Sequence, residues 1–243
     1  MNLSDIAHLR LSNQQLANSI YQKPKEIVSW LGAMQAQDYN MSKWAIGVRL
    51  PNSTEDSIEQ AINKGEILRT HVLRPTWHLV APKDIRWMLE LTGPRLLNMV
   101  ASWGKKLELD SKTLNRTNSI IQKLLRDKNY CTREELMKAI QKVGISTDDF
   151  RSAHIMFHAE LNALVCSGPM REKKITYALL DERAPLTKKV EREEALGMLT
   201  ERYFKSHGPA TIADFVWWSG LTMKDAREGL KMVESKLISE TID

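Results

Sequence analysis

The chain has 243 residues, 42% of them hydrophobic and 27% charged, which is ordinary for a globular protein that buries a core. It contains no run of about 18 apolar residues, so the sequence excludes a membrane-spanning helix. The segment Met1–Arg10 lacks the apolar stretch of a signal peptide, and we therefore expect a cytoplasmic protein. Its two cysteines, Cys131 and Cys166, lack metal-ligand spacing and are expected to be reduced thiols.

The formal net charge is +5, and its distribution along the chain is uneven. Residues 1–106 carry 13 Lys/Arg against 9 Asp/Glu (+4), and residues 107–189 carry 15 against 11 (+4). Residues 190–243 carry 7 against 10 (−3). A basic excess in the first three quarters is compatible with a nucleic-acid partner, but a solvated surface explains it equally well.

The first predicted elements are three amphipathic helices, at Lys25–Gln37, Ser42–Leu50 and Ser57–Lys64. The following segment, Glu66–Val80, is rich in β-branched and aromatic residues and has Arg74-Pro75 in its middle. This composition predicts two strands and a turn. Helices followed by a β-hairpin are the order of a winged helix.

A second unit of the same kind follows the first. Its predicted features are a helix at Asn115–Arg126, a capping box from Thr132 to Glu135, a turn at Gly144, a helix from Thr147 or Asp148 to about Cys166, and a strand or hairpin at Arg171–Leu180. This is the order of a helix-turn-helix with a β appendage.

The third unit repeats these features 79 residues later. Its predicted features are a helix at Val190–Lys205, a capping box from Thr211 to Asp214, a turn at Gly220, and a helix capped by Thr222 with Asp225. The chain ends where the repeat predicts a third wing, so this unit is expected to be incomplete. The sequence thus predicts a mostly α protein with small β-hairpins, built of tandem winged-helix units at 1–106, 107–189 and 190–243.

Candidate DNA contacts lie on the second unit. Arg151, His154 and His158, with Asn162, form a polar stripe on the predicted recognition helix, although an amphipathic helix also needs a solvated side. The two histidines have the i, i+4 spacing of metal ligands, but a third ligand is missing, so no metal or cofactor is predicted. Lys173 and Lys174 on the predicted wing suit phosphates, although paired lysines also protect an edge strand.

Two further strings have simple structural explanations. Gln35-Ala36-Gln37-Asp38 follows an apolar helix, and from the residues alone it is best explained as the polar end of that helix. The pair Trp217-Trp218 invites a ligand pocket, but we expect both indoles to pack in the core.

Three strings in this order change the interpretation of the glutamines. They are Met34-Gln35-Ala36-Gln37-Asp38, then Leu73-Arg74-Pro75-Thr76-Trp77-His78-Leu79-Val80, and then His207-Gly208-Pro209-Ala210-Thr211-Ile212-Ala213-Asp214-Phe215 with Trp218-Ser219-Gly220-Leu221. In these strings the chain resembles the AlkZ/YcaQ-like winged-helix DNA glycosylase family, whose members unhook DNA interstrand crosslinks or excise alkylated purines. The resemblance runs over nearly the whole chain. Family members are longer, continuing through the third wing into a β-rich part.

The resemblance implies a concave DNA-binding surface with the Gln-x-Gln motif, Gln35 and Gln37, at its centre as the catalytic pair. The YcaQ-like branch carries Asp at the second position, so Gln37 places this chain nearer the AlkZ-like pattern. On the first hairpin, Arg74, Thr76 and His78 become candidate DNA contacts.

The implied activity is that of a monofunctional DNA glycosylase acting on cationic N7- or N3-alkylated purines, including those in crosslinks. A cationic base leaves without a general acid, and the amide oxygens of the two glutamines are suited to stabilising the sugar cation and holding water. The partner is double-stranded DNA, and a monomer is expected. A non-catalytic winged-helix regulator or architectural protein, and a protein-interaction module, remain alternatives on the sequence alone.

Overall fold

The computed structural model describes residues 1–184, 186 and 188–241. The helices, numbered in chain order, are α1 Leu3–Asn13, α2 Pro24–Leu31, α3 Tyr39–Gly47, α4 Glu55–Asn63, α5 Ile85–Lys106, α6 Ser111–Leu125, α7 Arg133–Gln141, α8 Arg151–Leu161, α9 Leu180–Arg183, α10 Arg192–His207, α11 Ile212–Ser219 and α12 Met223–Val233. The strands are β1 Ala33–Gln35, β2 Leu68–Val72, β3 Arg74–Val80, β4 Cys131–Thr132, β5 Val165–Ser167 and β6 Thr176–Leu179.

Two winged helices of identical topology contain the strands β1 to β6. In the first unit α2, β1, α3 and α4 precede the β2–β3 hairpin, and the antiparallel sheet has the order β1-β3-β2. In the second unit α6, β4, α7 and α8 precede β5 and β6, and the sheet order is β4-β6-β5. The predicted fold class, mostly α with small β-hairpins in tandem winged-helix units, is therefore confirmed.

The third unit has the helices of this pattern and no wing among the described residues. Helices α10, α11 and α12 are followed by a 3₁₀ turn, and residues 237–241 have no regular structure. The sequence predicts that this unit ends without a wing, and the last two residues of that end, Ile242 and Asp243, lie outside the described residues.

The predicted capping boxes are all present. In the boxes of Thr132, Thr211 and Thr222, the hydroxyl accepts from the backbone N–H three residues on, and the carboxylate there accepts from the threonine N–H. These bonds satisfy backbone donors that a helix N-terminus leaves free. Between the last two boxes, Gly220 ends α11 in the left-handed conformation (φ +68°), as a helix C-terminus favours.

Two predicted helices are too long at their C-terminal ends. The helix predicted at Lys25–Gln37 ends at Leu31, and after Gly32 (φ +79°) the chain forms strand β1. The helix predicted to reach Cys166 ends at Leu161, and the residues from Val165 form strand β5. In both cases three residues form a short strand, β1 paired with the distant β3 and β5 paired with the nearby β6, and a periodicity analysis does not detect so short a segment.

The buried apolar residues form three clusters. One lies among the helices and sheet of the first unit, and one lies within the second unit. The third joins the β2–β3 hairpin to α5, α10 and α11, with Phe215 fully buried in it. The first hairpin is therefore packed from both sides. The division into units at residues 106 and 189 stays a prediction.

Two further predictions concern the cysteines and membrane spans. Cys131 and Cys166 are both buried, and their reduced state stays a prediction. Within the described part of the chain, every helix is too short or too polar to cross a membrane.

Candidate active site and nucleic-acid interface

The Gln-x-Gln segment is a strand and a short turn, and the prediction from the residues alone that it is a polar helix end is wrong. Gln35 is the last residue of β1 and lies opposite His78 of β3. Both glutamine side chains are exposed, whereas Ala36 between them is fully buried. Asp38 caps α3 by accepting a hydrogen bond from the Met41 N–H at 3.0 Å. Its carboxylate is thus engaged in helix capping.

The backbone between the two glutamines is fixed on both sides. The Ala36 N–H donates to the Trp77 carbonyl at 2.7 Å. The Ala36 carbonyl accepts from Arg69 Nε at 3.0 Å, and the Arg69 guanidinium lies 4.3 Å from the centre of the Trp77 ring. Because Ala36 is buried and held at its N–H and its C=O, the two flanking side chains project from a rigid base. Rigid support of this kind is what a preorganised polar group requires.

A polar row crosses the sheet beside Gln35. Gln35, His78 and Thr70 face one another on adjacent strands, and His78 is only 2% exposed. The hydroxyl of Thr70 is buried and has no hydrogen-bond partner in the described part of the chain, and the same holds for the hydroxyl of Thr76. Burial lowers the pKa of His78 to about 4, so its imidazole is neutral at pH 7. Its Nδ1–H donates to the Thr76 carbonyl at 2.9 Å, which leaves Nε2 as an acceptor.

The second winged helix offers a comparison for this polar row. Gln35 and Thr132 are the last residues of β1 and β4, and they pair with His78 and Thr176. The buried hydroxyl of Thr176 donates to the Pro169 carbonyl at 2.6 Å, whereas the hydroxyls of Thr70 and Thr76 have no partner among the described residues. Polar groups without partners are costly in an interior, so their presence beside Gln35 points to a role other than packing.

The three predicted contacts of the first hairpin occupy different environments. Arg74, at the tip of β3, is half-buried, and its guanidinium lies 4.5 Å from the ring centre of Trp217. Thr76 is half-buried and His78 is buried and uncharged. Of the three, Arg74 is the one with a charged group placed to meet phosphate, and its role stays a prediction.

The tryptophan pair near the C-terminus is divided between core and surface. Trp218 packs against the rings of Tyr203, His207 and Phe215, as expected of a core residue. Trp217 is 71% exposed, so the expectation that it packs in the core is wrong.

The polar stripe of α8 is less exposed than expected. The Arg151 guanidinium donates to the backbone carbonyls of Ser146 (2.8 Å) and Leu107, which ties the start of α8 to the end of α5. His154 and His158 are half-buried, and burial lowers the pKa of each below its ordinary value. Phe150, just before α8, is 63% exposed instead. Arg151 and His154 thus lie against the end of α5, and the role of all three predicted contacts in DNA binding stays a prediction.

The wing of the second unit presents its lysines to solvent. Lys173 and Lys174 are exposed in a tight turn closed by pairing of Arg171 with Lys174. Glu172 and Lys173 have positive φ (+50° and +63°), which turns the chain sharply there.

Replacing both wing lysines with Ala should weaken duplex binding for every sequence. The slope of log affinity against log salt should fall by about 0.9 for each phosphate that the variant no longer neutralises. Fluorescence anisotropy with a labelled duplex, titrated with salt, measures this slope. The matched control is a variant in which Lys188 and Lys189, another pair of neighbouring lysines, are changed to Ala. An equal loss of duplex affinity in the two double variants would mean that the wing has no specific role.

Sequence reasoning missed Glu160, which organises the interior behind the first hairpin. Glu160 is 1% exposed, and Oε2 accepts from the His71 N–H (2.8 Å) and from His71 Nδ1 (2.6 Å). The Trp77 indole N–H lies 3.4 Å from Oε1. The sequence did carry a signal for this residue, because Glu160 lies at helical spacing from the apolar residues Phe157 and Leu164. Carboxylates are rarely buried without partners, so an acidic residue on an apolar helix face indicates a buried polar network.

Comparison with known proteins agrees with this architecture. The family model described as "DNA glycosylase AlkZ-like" matches residues 28–243. An interstrand DNA cross-link repair glycosylase of Streptomyces sahachiroi is 24% identical over 219 residues, which cover 87% of this chain and 59% of that protein. The chain thus spans about three-fifths of that relative's length.

A solved structure gives the same result for the fold. The Streptomyces sahachiroi DNA glycosylase AlkZ superposes on this chain with a TM-score of 0.78 and 21% sequence identity. The superposition covers 95% of this chain and 64% of the other. The family match extends over most of the chain, from the first winged helix to the last residue. The chain belongs to the AlkZ-like DNA glycosylase family.

Proposed function

We propose that this protein hydrolyses the N-glycosidic bond of alkylated, cationic purines in double-stranded DNA, including purines joined in interstrand crosslinks. The observation that carries the proposal is the geometry of the Gln-x-Gln segment. Two exposed carboxamides flank a buried alanine whose backbone is bonded at both its N–H and its C=O. An arrangement that fixes the backbone while leaving two amides free is suited to binding a reacting group.

The proposed reaction does not require a general acid to protonate the leaving base. A purine alkylated at N7 or N3 already carries a positive charge, so it departs as a neutral base. The sugar left behind has oxocarbenium character, and amide oxygens aimed at C1′ stabilise it and hold the attacking water. A neutral amide is a weak base, and normal purines, which need protonation to leave, are therefore expected to be poor substrates.

Strand cleavage is not part of the proposed reaction. A lyase step needs a free amine close to the sugar carbon. Lys43, the first lysine after the motif in the sequence, lies on α3, is 4% exposed and is held by Glu55 at 2.6 Å and Glu59 at 2.8 Å. Its amine is thus bonded to two carboxylates and turned away from solvent, which supports a monofunctional glycosylase.

The DNA partner is supported by charge and fold together. The basic excess lies in residues 1–189, where both complete winged helices are located. Arg74 and the wing lysines, Lys173 and Lys174, supply cations on the first hairpin and the second wing. A monomer remains the proposed oligomeric state, which size-exclusion chromatography with light scattering tests directly.

We expect excess protein to release 7-methylguanine from a labelled duplex in single turnover and to release nothing from the unmodified duplex. The abasic product should be cleaved only after alkali, because the enzyme has no lyase step. Chromatography of the free base and denaturing gels before and after alkali measure both results. Salt-dependent binding of the alkylated duplex without base release would instead support a non-catalytic DNA-binding protein.

A further inference from the structure

The imidazole of His78 is a neutral hydrogen-bond acceptor whose tautomer is fixed by its surroundings. The side chain is 2% exposed, and burial lowers its pKa to about 4. Nδ1 lies 2.9 Å from the Thr76 carbonyl, and a carbonyl oxygen only accepts, so the proton of the neutral ring is on Nδ1. Nε2 therefore carries a lone pair, which the hydrogen bonds among the described residues leave unused.

Gln35 is the residue that lies directly opposite His78 on the neighbouring strand β1. The Ala36 N–H donates to the Trp77 carbonyl, so the hydrogen bonds of this ladder fall at the next pair, and Gln35 and His78 form a non-hydrogen-bonded pair. The Cα atoms of such a pair lie about 4.5 Å apart, and both side chains stand on the same face of the sheet. The carboxamide of Gln35 is thus within reach of His78 Nε2.

The two ends of the Gln35 carboxamide are not equivalent for the proposed reaction. Its oxygen stabilises a sugar cation, whereas its NH2 group presents positively polarised hydrogens to the same charge. A lone pair on a neutral imidazole accepts a hydrogen bond only from the NH2 end. A bond from Gln35 Nε2–H to His78 Nε2 therefore turns the nitrogen toward the sheet and leaves the oxygen facing outward.

We propose that His78 is a positioning residue, which accepts a hydrogen bond from the Gln35 carboxamide and so holds the Gln35 oxygen toward the sugar. The exposed side chain of Gln35 forms this bond by rotating about its own side-chain torsions, and catalytic hydrogen bonds often tighten only when substrate is bound. The proposal rests on the proposed function for the role of Gln35 in catalysis.

The second glutamine of the motif is the internal control. Gln37 lies beyond the end of β1, and the register of the described strands places no imidazole opposite it. His78 should therefore act on Gln35 and not on Gln37. A merely structural role of His78 would affect both glutamines alike, since both flank the same buried alanine.

His78→Asn is the variant that tests positioning. Its shorter amide can still donate to the Thr76 carbonyl but places no acceptor where Nε2 lies. Single-turnover excision of 7-methylguanine should fall about ten-fold, because misplacing a reacting group by about 1 Å costs up to about 10² in rate. His78→Gln extends its amide oxygen to about the position of Nε2, so it should restore most of the rate. Thermal melting checks that both variants remain folded.

A double-mutant cycle distinguishes an effect through Gln35 from a general one. In a Gln35→Ala background, His78→Asn should change the excision rate by less than about two-fold, because the amide on which His78 acts is gone. In a Gln37→Ala background, the same substitution should still cost about ten-fold. Equal losses in the two backgrounds, or a wild-type rate in His78→Asn itself, would overturn the inference and leave the proposed function standing.

Nitrogen NMR of protein labelled in its histidines tests the same bond without any activity. The His78→Asn spectrum identifies the His78 signals by their loss. We expect Gln35→Ala to shift the Nε2 signal and Gln37→Ala to leave it unchanged, in the free protein or bound to a duplex with a tetrahydrofuran abasic analogue. This result supports the orientation of Gln35 even if wild type proves unable to excise the base. An Nε2 signal that Gln35→Ala leaves unchanged in both states would overturn the inference, and a shift in Thr70→Val instead would assign the lone pair to the buried Thr70 hydroxyl.

Discussion

Replacing Gln35 or Gln37 with Ala should lower the single-turnover rate of 7-methylguanine excision by about 10² or more, the scale observed when one preorganised polar group is removed from a transition state. Folding and DNA affinity should be nearly unchanged. Both side chains are exposed, and neither has a hydrogen-bond partner among the described residues. The effect should therefore lie in the chemical step.

Replacing Gln37 with an acidic residue tests the same expectation in more detail. Gln37→Asp introduces a carboxylate that stabilises the sugar cation and accepts a proton, so activity should partly survive. Gln37→Glu should retain less activity, because its charge sits one carbon farther from the rigid backbone at Ala36. Rates at saturating enzyme and melting temperatures for each variant distinguish chemistry from stability.

Gln60→Ala supplies the control, because it removes an exposed carboxamide from α4 of the same unit. Full activity in both Gln35→Ala and Gln37→Ala would show that the segment has only a structural role. A loss of activity that is accompanied by a large drop in melting temperature would likewise argue against catalysis by these amides.

Gly220→Ala should be the most destabilising single-methyl substitution among the turn glycines. Gly220 has φ +68°, and an added Cβ would overlap the Leu73 carbonyl oxygen at the tip of the first hairpin. Its own carbonyl also accepts from Arg95 Nε at 2.8 Å. The turn of the third unit thus lies directly against the backbone of the first hairpin, and moving the turn away would cost the hydrogen bond to Arg95 of α5.

Gly144→Ala provides the comparison, because Gly144 has a similar φ of +80° with nothing within 4 Å of the added carbon. It should cost only the backbone strain of a left-handed alanine, about 1–2 kcal/mol. Gly220→Ala should cost at least about 2 kcal/mol more, since overlap with backbone adds to the strain. In a chain of this size each kcal/mol lowers the melting temperature by about 2–4 °C.

An asparagine at each position separates strain from overlap. Asn tolerates the left-handed region, so Gly144→Asn should be nearly neutral, whereas Gly220→Asn should remain strongly destabilised. Calorimetric melting of the four variants measures this. Equal melting temperatures for the alanine variants at 144 and 220 would show that the hairpin tip and the third unit are not tightly packed in solution.

Local features of this protein were predictable from the sequence because their bonds join residues close in the chain. Each of the three threonine capping boxes depends on residues three apart, and each is present where predicted. The hairpin at Glu66–Val80 followed from β-branched and aromatic residues interrupted at Arg74-Pro75. Family membership followed from three strings in order, since it requires only the residues themselves.

The candidate site depended on contacts between residues far apart in sequence. Strand β1 has only three residues, and its pairing with β3, about 45 positions later, outweighs the helical pattern that precedes it. That pairing sets Gln35 beside a buried, neutral His78. Glu160 likewise bonds His71 across 89 positions. Local propensity fixes elements, whereas burial and pairing between distant segments decide which polar groups remain free to act.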